Sequence, residues 1–161
     1  MPETPPYSSQ IDSPLGVLNI MGSAQAIEGV GWMTHGTTQT NSATESCPLI
    51  DECANQLRAY FDGRLTKFDL PLAPAGTPYQ RRVWQGLQDI LYGQTVSYGQ
   101  LSQALQPPSG PRAVGSAVGR NPIALLLPCH RVIGGRGELT GFAWGLAHKA
   151  WLLSHEGSML C

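Results

Sequence analysis

Cys129 and His130 stand side by side in the stretch LLLPCHRVIG, residues 125–134. A thiol is the most nucleophilic side chain a protein carries, but only as thiolate, and a free cysteine is a few per cent ionised near pH 7. A neighbouring imidazole can take the proton, and a carboxylate can fix the imidazole's tautomer. Glu156 of SHEG, residues 154–157, is available for that third part. Arg131 adds positive potential, and Gly134, Gly135, Gly137 and Gly141 make a loop able to fold closely over a ligand. A lone cysteine behind an apolar run usually only fills space, so the case depends on what surrounds it.

The elements that must hold these residues follow from pattern. Leu125, Leu126 and Leu127 read as a short buried strand stopped by Pro128. Upstream, Thr77 caps a helix opened by Pro78, with a core stripe of Val83, Trp84, Leu87, Ile90 and Leu91 and Gly93 past its end. Ser97 caps a second helix, Tyr98 to Leu105; QPPSG connects it to RAVGSAVG, residues 112–119, which Pro111 opens and Asn121-Pro122 halts. Two short helices joined by a turn have helix-turn-helix proportions. A last helix covers 146–157 and closes at Gly157.

The first half of the chain reads differently. SPLG (13–16) is a turn between extended stretches, followed by strands at 17–21 and 26–33. Residues 35–46 are polar and loop-like, and 48–63 form a helix with apolar Ile50, Cys53, Ala54, Leu57 and Phe61. Residues 64–76 make an extended linker. The expected fold class is therefore α/β: an N-terminal domain of antiparallel sheet plus helix over 1–76, then a mostly helical domain over 77–161.

Composition narrows the function. Hydrophobic residues make up 42% of the 161, enough for a core, and no apolar run approaches the ~18 residues of a membrane helix. The N-terminus lacks the basic start and apolar stretch of a signal peptide, so a cytoplasmic protein without membrane partners is expected. The four cysteines, Cys47, Cys53, Cys129 and Cys161, are too unevenly spaced for a disulfide framework. Only His35 lies near Cys47 and Cys53, so no metal is expected. Net charge is −1, but its distribution is lopsided: three cations against eight anions leave residues 1–76 at −5, and seven against three leave 77–161 at +4. A basic second half suits a polyanion. Apart from Arg112, residues 112–119 carry only Ala, Val, Gly and Ser, a poor set for reading base edges but one that lets a backbone approach a minor groove.

SYGQL, RAVGSAVG, NPIALLLPCHRVIG and KAWLLSHEG occur in this order across 77–161, and together they resemble the O6-alkylguanine-DNA alkyltransferases. The first half resembles that family more loosely. The resemblance implies direct-reversal repair: an alkyl group passes once, irreversibly, from O6-alkylguanine, and by extension O4-alkylthymine, in duplex DNA to the protein's own cysteine. It casts Cys129 as acceptor, His130 as base acting through a water, and Glu156 as the group orienting His130. Tyr98 would press on the DNA backbone and give a proton to the guanine, and Asn121 would hold the segment carrying Cys129. Arg112 would fill the space left by a flipped nucleotide, with Ala113, Gly115 and Ser116 beside it along the minor groove. Val132, Phe142, Ala143 and Trp144 would line the base pocket. Trp144 is a departure, since many relatives place a small residue there. No cofactor is implied, and the protein is expected to act as a monomer, with cooperative packing on DNA left open. Two rivals stand beside this reading. A non-enzymatic module that flags alkylated DNA would not need the thiol, and a cysteine hydrolase built on Cys129, His130 and Glu156 would turn over.

Overall fold

The computed structural model describes residues 7–33, 47–105 and 107–158. The loop expected at 35–46, with His35, and Cys161 lie outside the described residues. The chain divides into two compact units, Met1–Ala75 and Gly76–Cys161. Both sheet and helix are present, in the α/β arrangement expected.

Unit 1 is built on an antiparallel meander of β1 (Tyr7–Ser13), β2 (Gly16–Gly22) and β3 (Ile27–Trp32). The SPLG turn closes β1 on β2: Ser13 Oγ accepts from the Leu15 amide at 3.1 Å and donates to the Gly16 carbonyl at 2.6 Å. Alternate residues Leu18 and Ile20 of β2 point inward. Against them α1 (Pro48–Phe61) buries Ile50, Cys53, Ala54, Leu57 and Tyr60, so Tyr60 rather than Phe61 completes its stripe. The linker is not merely extended. Ile27 donates to the Pro71 carbonyl and accepts from the Ala73 amide, both at 2.8 Å, which seats the linker along the edge of β3.

Unit 2 gathers α2 (Pro78–Leu87), α3 (Tyr98–Ala104), α4 (Pro111–Gly119) and α5 (Leu146–His155), with a two-residue parallel pair, β4 (Val96–Ser97) and β5 (Val132–Ile133). Complete capping boxes start α2 (Thr77 with Gln80) and α3 (Ser97 with Gln100). Helix α2 stops at Leu87, short of the expected stripe. Its continuation tightens into i→i+3 bonds, Gln88 to Gln85, Asp89 to Gly86 and Ile90 to Leu87. The changed pitch turns Ile90 inward and leaves Leu91 60% exposed. Among the described residues no helix is long and apolar enough to cross a membrane.

The leucine strand is the main correction. Residues 123–127 form a buried turn, in which Leu126 donates to the Ala124 carbonyl and Leu127 to the Ile123 carbonyl. Leu125 takes a φ of 72°. The apolar run reflects burial on every side, a signal that strand and buried turn share.

Candidate active site

Asn121 shapes the turn that delivers the cysteine. Its Nδ2 donates to the Leu127 carbonyl at 2.7 Å, and its Oδ1 accepts from the Ile123 amide at 2.9 Å. A left-handed leucine is unfavourable by about 1–2 kcal/mol, so the turn persists because such contacts hold it. Pro128 follows, and Cys129–Arg131 wind into one turn of 3-10 helix, the Cys129 amide donating to Leu127 at 2.7 Å.

The thiol is buried at the start of that turn. Burial pushes its pKa up from 9.0; the Asn121 side chain, the Lys149 charge and the backbone amides of Cys129 and His130 pull the other way without reversing the shift. At neutral pH Cys129 is therefore held as a thiol that needs a base. His130, 1% exposed, lies next to it, with Nε2 2.7 Å from Glu156 Oε2. Burial would raise the Glu156 carboxyl, but hydrogen bonds and charge from His130 and Arg131 override it and bring the pKa down to about 2. An ionised carboxylate only accepts, so Nε2 carries the proton. Nδ1 is then a lone pair, buried and without a hydrogen-bond partner, on a ring that burial keeps below its ordinary pKa of 6.5. That is the state of a base ready to act.

Glu156 caps α5 and is gripped from a second side. Arg131 Nε donates to Oε1 at 2.8 Å and Nη2 to Oε2 at 3.1 Å, while Nη1 donates to the Ile90 carbonyl at 2.7 Å. The guanidinium also lies 5.8 Å from the centre of the Tyr92 ring. Arg131 is thus a buried partner of the acid rather than a source of diffuse positive potential.

A second cluster meets at the Thr140 carbonyl. Tyr98, at the start of α3, donates its hydroxyl there at 3.0 Å, and Lys149 donates Nζ at 2.8 Å. Lys149 is fully buried, 5.8 Å from the centre of the Tyr98 ring. Burial lowers its pKa to about 8 against the opposing effect of Cys129. Burial also raises the Tyr98 pKa, which the Thr140 bond partly offsets, so the phenol keeps its proton. Gly141, at φ 58°, and Gly145, at φ 101°, bend the following loop. On it Phe142 and Trp144 meet edge to face, ring centres 5.3 Å apart, with Ala143 exposed between them. Val132 is buried in β5.

Helix α4 shows two faces. Val114, Ala117 and Val118 are buried, whereas Arg112, Ala113 and Ser116 are exposed and Gly115 is half-buried beside the Tyr98 ring. The structure thus joins His130 to Glu156, and it places Asn121 at the root of the Cys129 turn. It sets Arg112 apart on the exposed face of α4. Sequence reasoning took Arg131 as positive potential beside Cys129 and did not foresee its pairing with Glu156, and it counted Lys149 only in the charge balance. A signal was present for the lysine: Lys149, Leu152, Leu153 and Glu156 fall at i, i+3, i+4 and i+7, so the apolar stripe of α5 carries an ion at each end.

A mixed α/β chain whose second unit buries a cysteine beside a histidine that is hydrogen-bonded to an ionised glutamate defines a protein with a cysteine-based reactive site. Residues 78–158 match the DNA binding domain, and residues 7–74 the ribonuclease-like domain, of 6-O-methylguanine DNA methyltransferase. The chain is 42% identical over 154 residues to a methylated-DNA–protein-cysteine methyltransferase of Methanosarcina acetivorans, covering 94% of this chain and 99% of the relative. The crystal structure of the Mycobacterium tuberculosis O6-methylguanine methyltransferase is similar with a TM-score of 0.84 at 40% identity, covering 94% and 93% of the two chains. A structure of M. tuberculosis OGT in complex with DNA gives 0.83 at 42% identity, covering 94% and 92%. The chain belongs to the methylated-DNA–protein-cysteine methyltransferase family.

Proposed function

We propose that this protein repairs alkylated duplex DNA by accepting the alkyl group of O6-alkylguanine, and of O4-alkylthymine, on Cys129, once per molecule. The buried Cys129 site, with His130 kept neutral by burial and oriented by an ionised Glu156, carries the reading. The Sγ–H proton passes to Nδ1 of His130 through a water. Sγ then attacks the alkyl carbon, an S–C bond forms, and the electron pair of the broken C–O6 bond stays on the guanine. Guanine is a poor leaving group unless protonated, and Tyr98, kept as a phenol, supplies that proton. The thioether has no route back, so the reaction ends there.

O6 lies inside a base pair, so the nucleotide must swing out. The small exposed side chains of α4 suit a minor-groove approach, and Arg112 on the same face would fill the gap in the stack. Val132, Phe142, Ala143 and Trp144 would line the pocket. In this reading residues 77–161 carry duplex binding and transfer, and residues 1–76 form a separate N-terminal domain of a cytoplasmic monomer that uses no cofactor.

The test is intact-mass spectrometry after mixing with duplex DNA containing O6-methylguanine. We expect one added methyl per protein, mapped to Cys129, and Cys129→Ala to bind the duplex with no mass gain. Binding without mass gain in the parent would instead indicate a lesion-flagging module. Continued turnover with an unmodified thiol would indicate a hydrolase.

A further inference from the structure

Helix α2 packs against the Cys129–Arg131 turn, and it also holds α4 and the connection before it at two places. Near its C-terminal end, the buried Trp84 donates Nε1 to the Ala117 carbonyl at 2.8 Å. Near its N-terminal end, Tyr79 Oη and Ser109 Oγ share a hydrogen bond of 2.7 Å. Arg82, one turn further on, donates Nη2 to the Pro107 carbonyl at 3.2 Å. The Arg82 guanidinium also lies over the Tyr79 ring, 5.4 Å from its centre, and its Nε is buried with no hydrogen-bond partner. That arginine is half-buried and folded against the protein.

Pro107 and Ser109 belong to the connection that feeds α4, and Ser109 precedes Gly110, the residue at the helix's N-terminal cap. That cap makes no side-chain hydrogen bond, so Pro111 is the local device at the start of α4 and its first amides lack a side-chain acceptor. The α2 start is fixed by contrast: the Thr77–Gln80 capping box sets its first turn, and Tyr79 and Arg82 share one face at i, i+3. A side-chain-capped helix start therefore steadies a helix whose own start has no side-chain cap.

We infer that α2 braces the duplex-facing helix, with Tyr79 and Arg82 as positioning residues for DNA binding through the 107–109 connection. The inference rests on reading α4 as the face that meets DNA. Arg112 sits at the second position of α4, three residues after Ser109, so a loose connection displaces it first. Cys129, His130 and Glu156 lie outside this connection, and their reaction with a small free substrate does not call on it.

The test compares the parent with Tyr79→Phe, Ser109→Ala and the double variant. Tyr79→Phe keeps the ring and its packing and removes only the hydroxyl. Duplex affinity is read by fluorescence anisotropy on unmodified DNA, and chemistry by the rate of modification with free O6-benzylguanine. We expect each single variant to weaken duplex binding about fivefold, the scale of one modest hydrogen bond. The double variant should be no worse than either single one, because both remove the same bond. The free-base rate should stay within about twofold of the parent, since no group of the chemistry is touched. Unchanged duplex affinity, or equal losses in both assays, would overturn the brace. Anisotropy needs no alkyl transfer, so a failure of the transfer reading shows separately, as absence of a methyl mass gain in the parent.

Discussion

At the scale of residues, protonation states decide the chemistry. In the proposed reaction His130 serves as base only while neutral, and burial holds its pKa below 6.5, so activity should persist below the ordinary histidine range and fall at a lower pH. Lys149 sets the other limb. Its cation favours a developing thiolate on Cys129, and that charge is lost as pH rises through about 8. The transfer rate should form a plateau bounded by these two groups, and Lys149→Met should lower the plateau and remove the alkaline limb. An alkaline limb unchanged in Lys149→Met would assign it to another group. In the proposed pocket Trp144 bears on a different property. If its indole narrows the pocket wall, a bulky benzyl group fits the transition state less well than methyl. A loss of about 2 kcal/mol slows benzyl transfer roughly thirtyfold. Trp144→Gly should raise the benzyl-to-methyl rate ratio, and an unchanged ratio would place the indole elsewhere. Cys129, His130 and Glu156 were legible because adjacent nucleophile and base, followed by a matching motif, form a specific pattern. Lys149 was not, because a lysine defaults to solvent and only the periodicity of α5 placed it inside.

At the scale of elements, the buried turn is where sequence and structure part. Helix starts were readable from their caps: Thr77, Ser97 and the prolines at 48, 78 and 111 begin helices where expected. Their ends and the leucine run were not, since pitch changes and all-round burial leave no period to read. Asn121 ties that run into a turn, its side chain bonding the Leu127 carbonyl at 2.7 Å and the Ile123 amide at 2.9 Å. Asn121→Ala strands the buried Ile123 amide, costing about 1–3 kcal/mol, and leaves the Leu127 carbonyl with the Cys129 amide as its donor. It also removes a hydrogen bond that holds the Cys129 pKa down. The variant should melt several degrees lower and transfer more slowly to duplex and free base alike. A normal melting temperature with normal rates would show that Leu125 keeps its conformation without this side chain.

At the scale of the whole molecule, the division of charge needs restating in structural terms. The +4 of residues 77–161 counts Arg131 and Lys149, both of which are buried and turned to the site. Arg81, Arg82, Arg112, Arg120 and Arg136 are the remaining cations of that segment, all exposed or half-buried. A chain's formal charge says how many ions it carries and nothing about which ones face outward, so the basic half was overestimated from sequence. The consequence is measurable. Each phosphate neutralised contributes about −0.9 to the slope of log K against log salt, so five cations set a slope no steeper than about −4.5. Arg82 is engaged with Pro107 and Tyr79, which favours a value nearer −3 to −4 on the same scale, about one contact fewer. Duplex affinity measured across a salt series should fall within that bound and depend little on sequence, since α4 offers few groups for base edges. Replacing Arg120 or Arg136 with Ala should flatten the slope by about one unit wherever that arginine meets a phosphate. A slope steeper than about −6 would require phosphate contacts from outside residues 77–161. Arg58, Arg64 and Lys67 would then be the candidates, and the proposal that the second unit alone carries the duplex would fall.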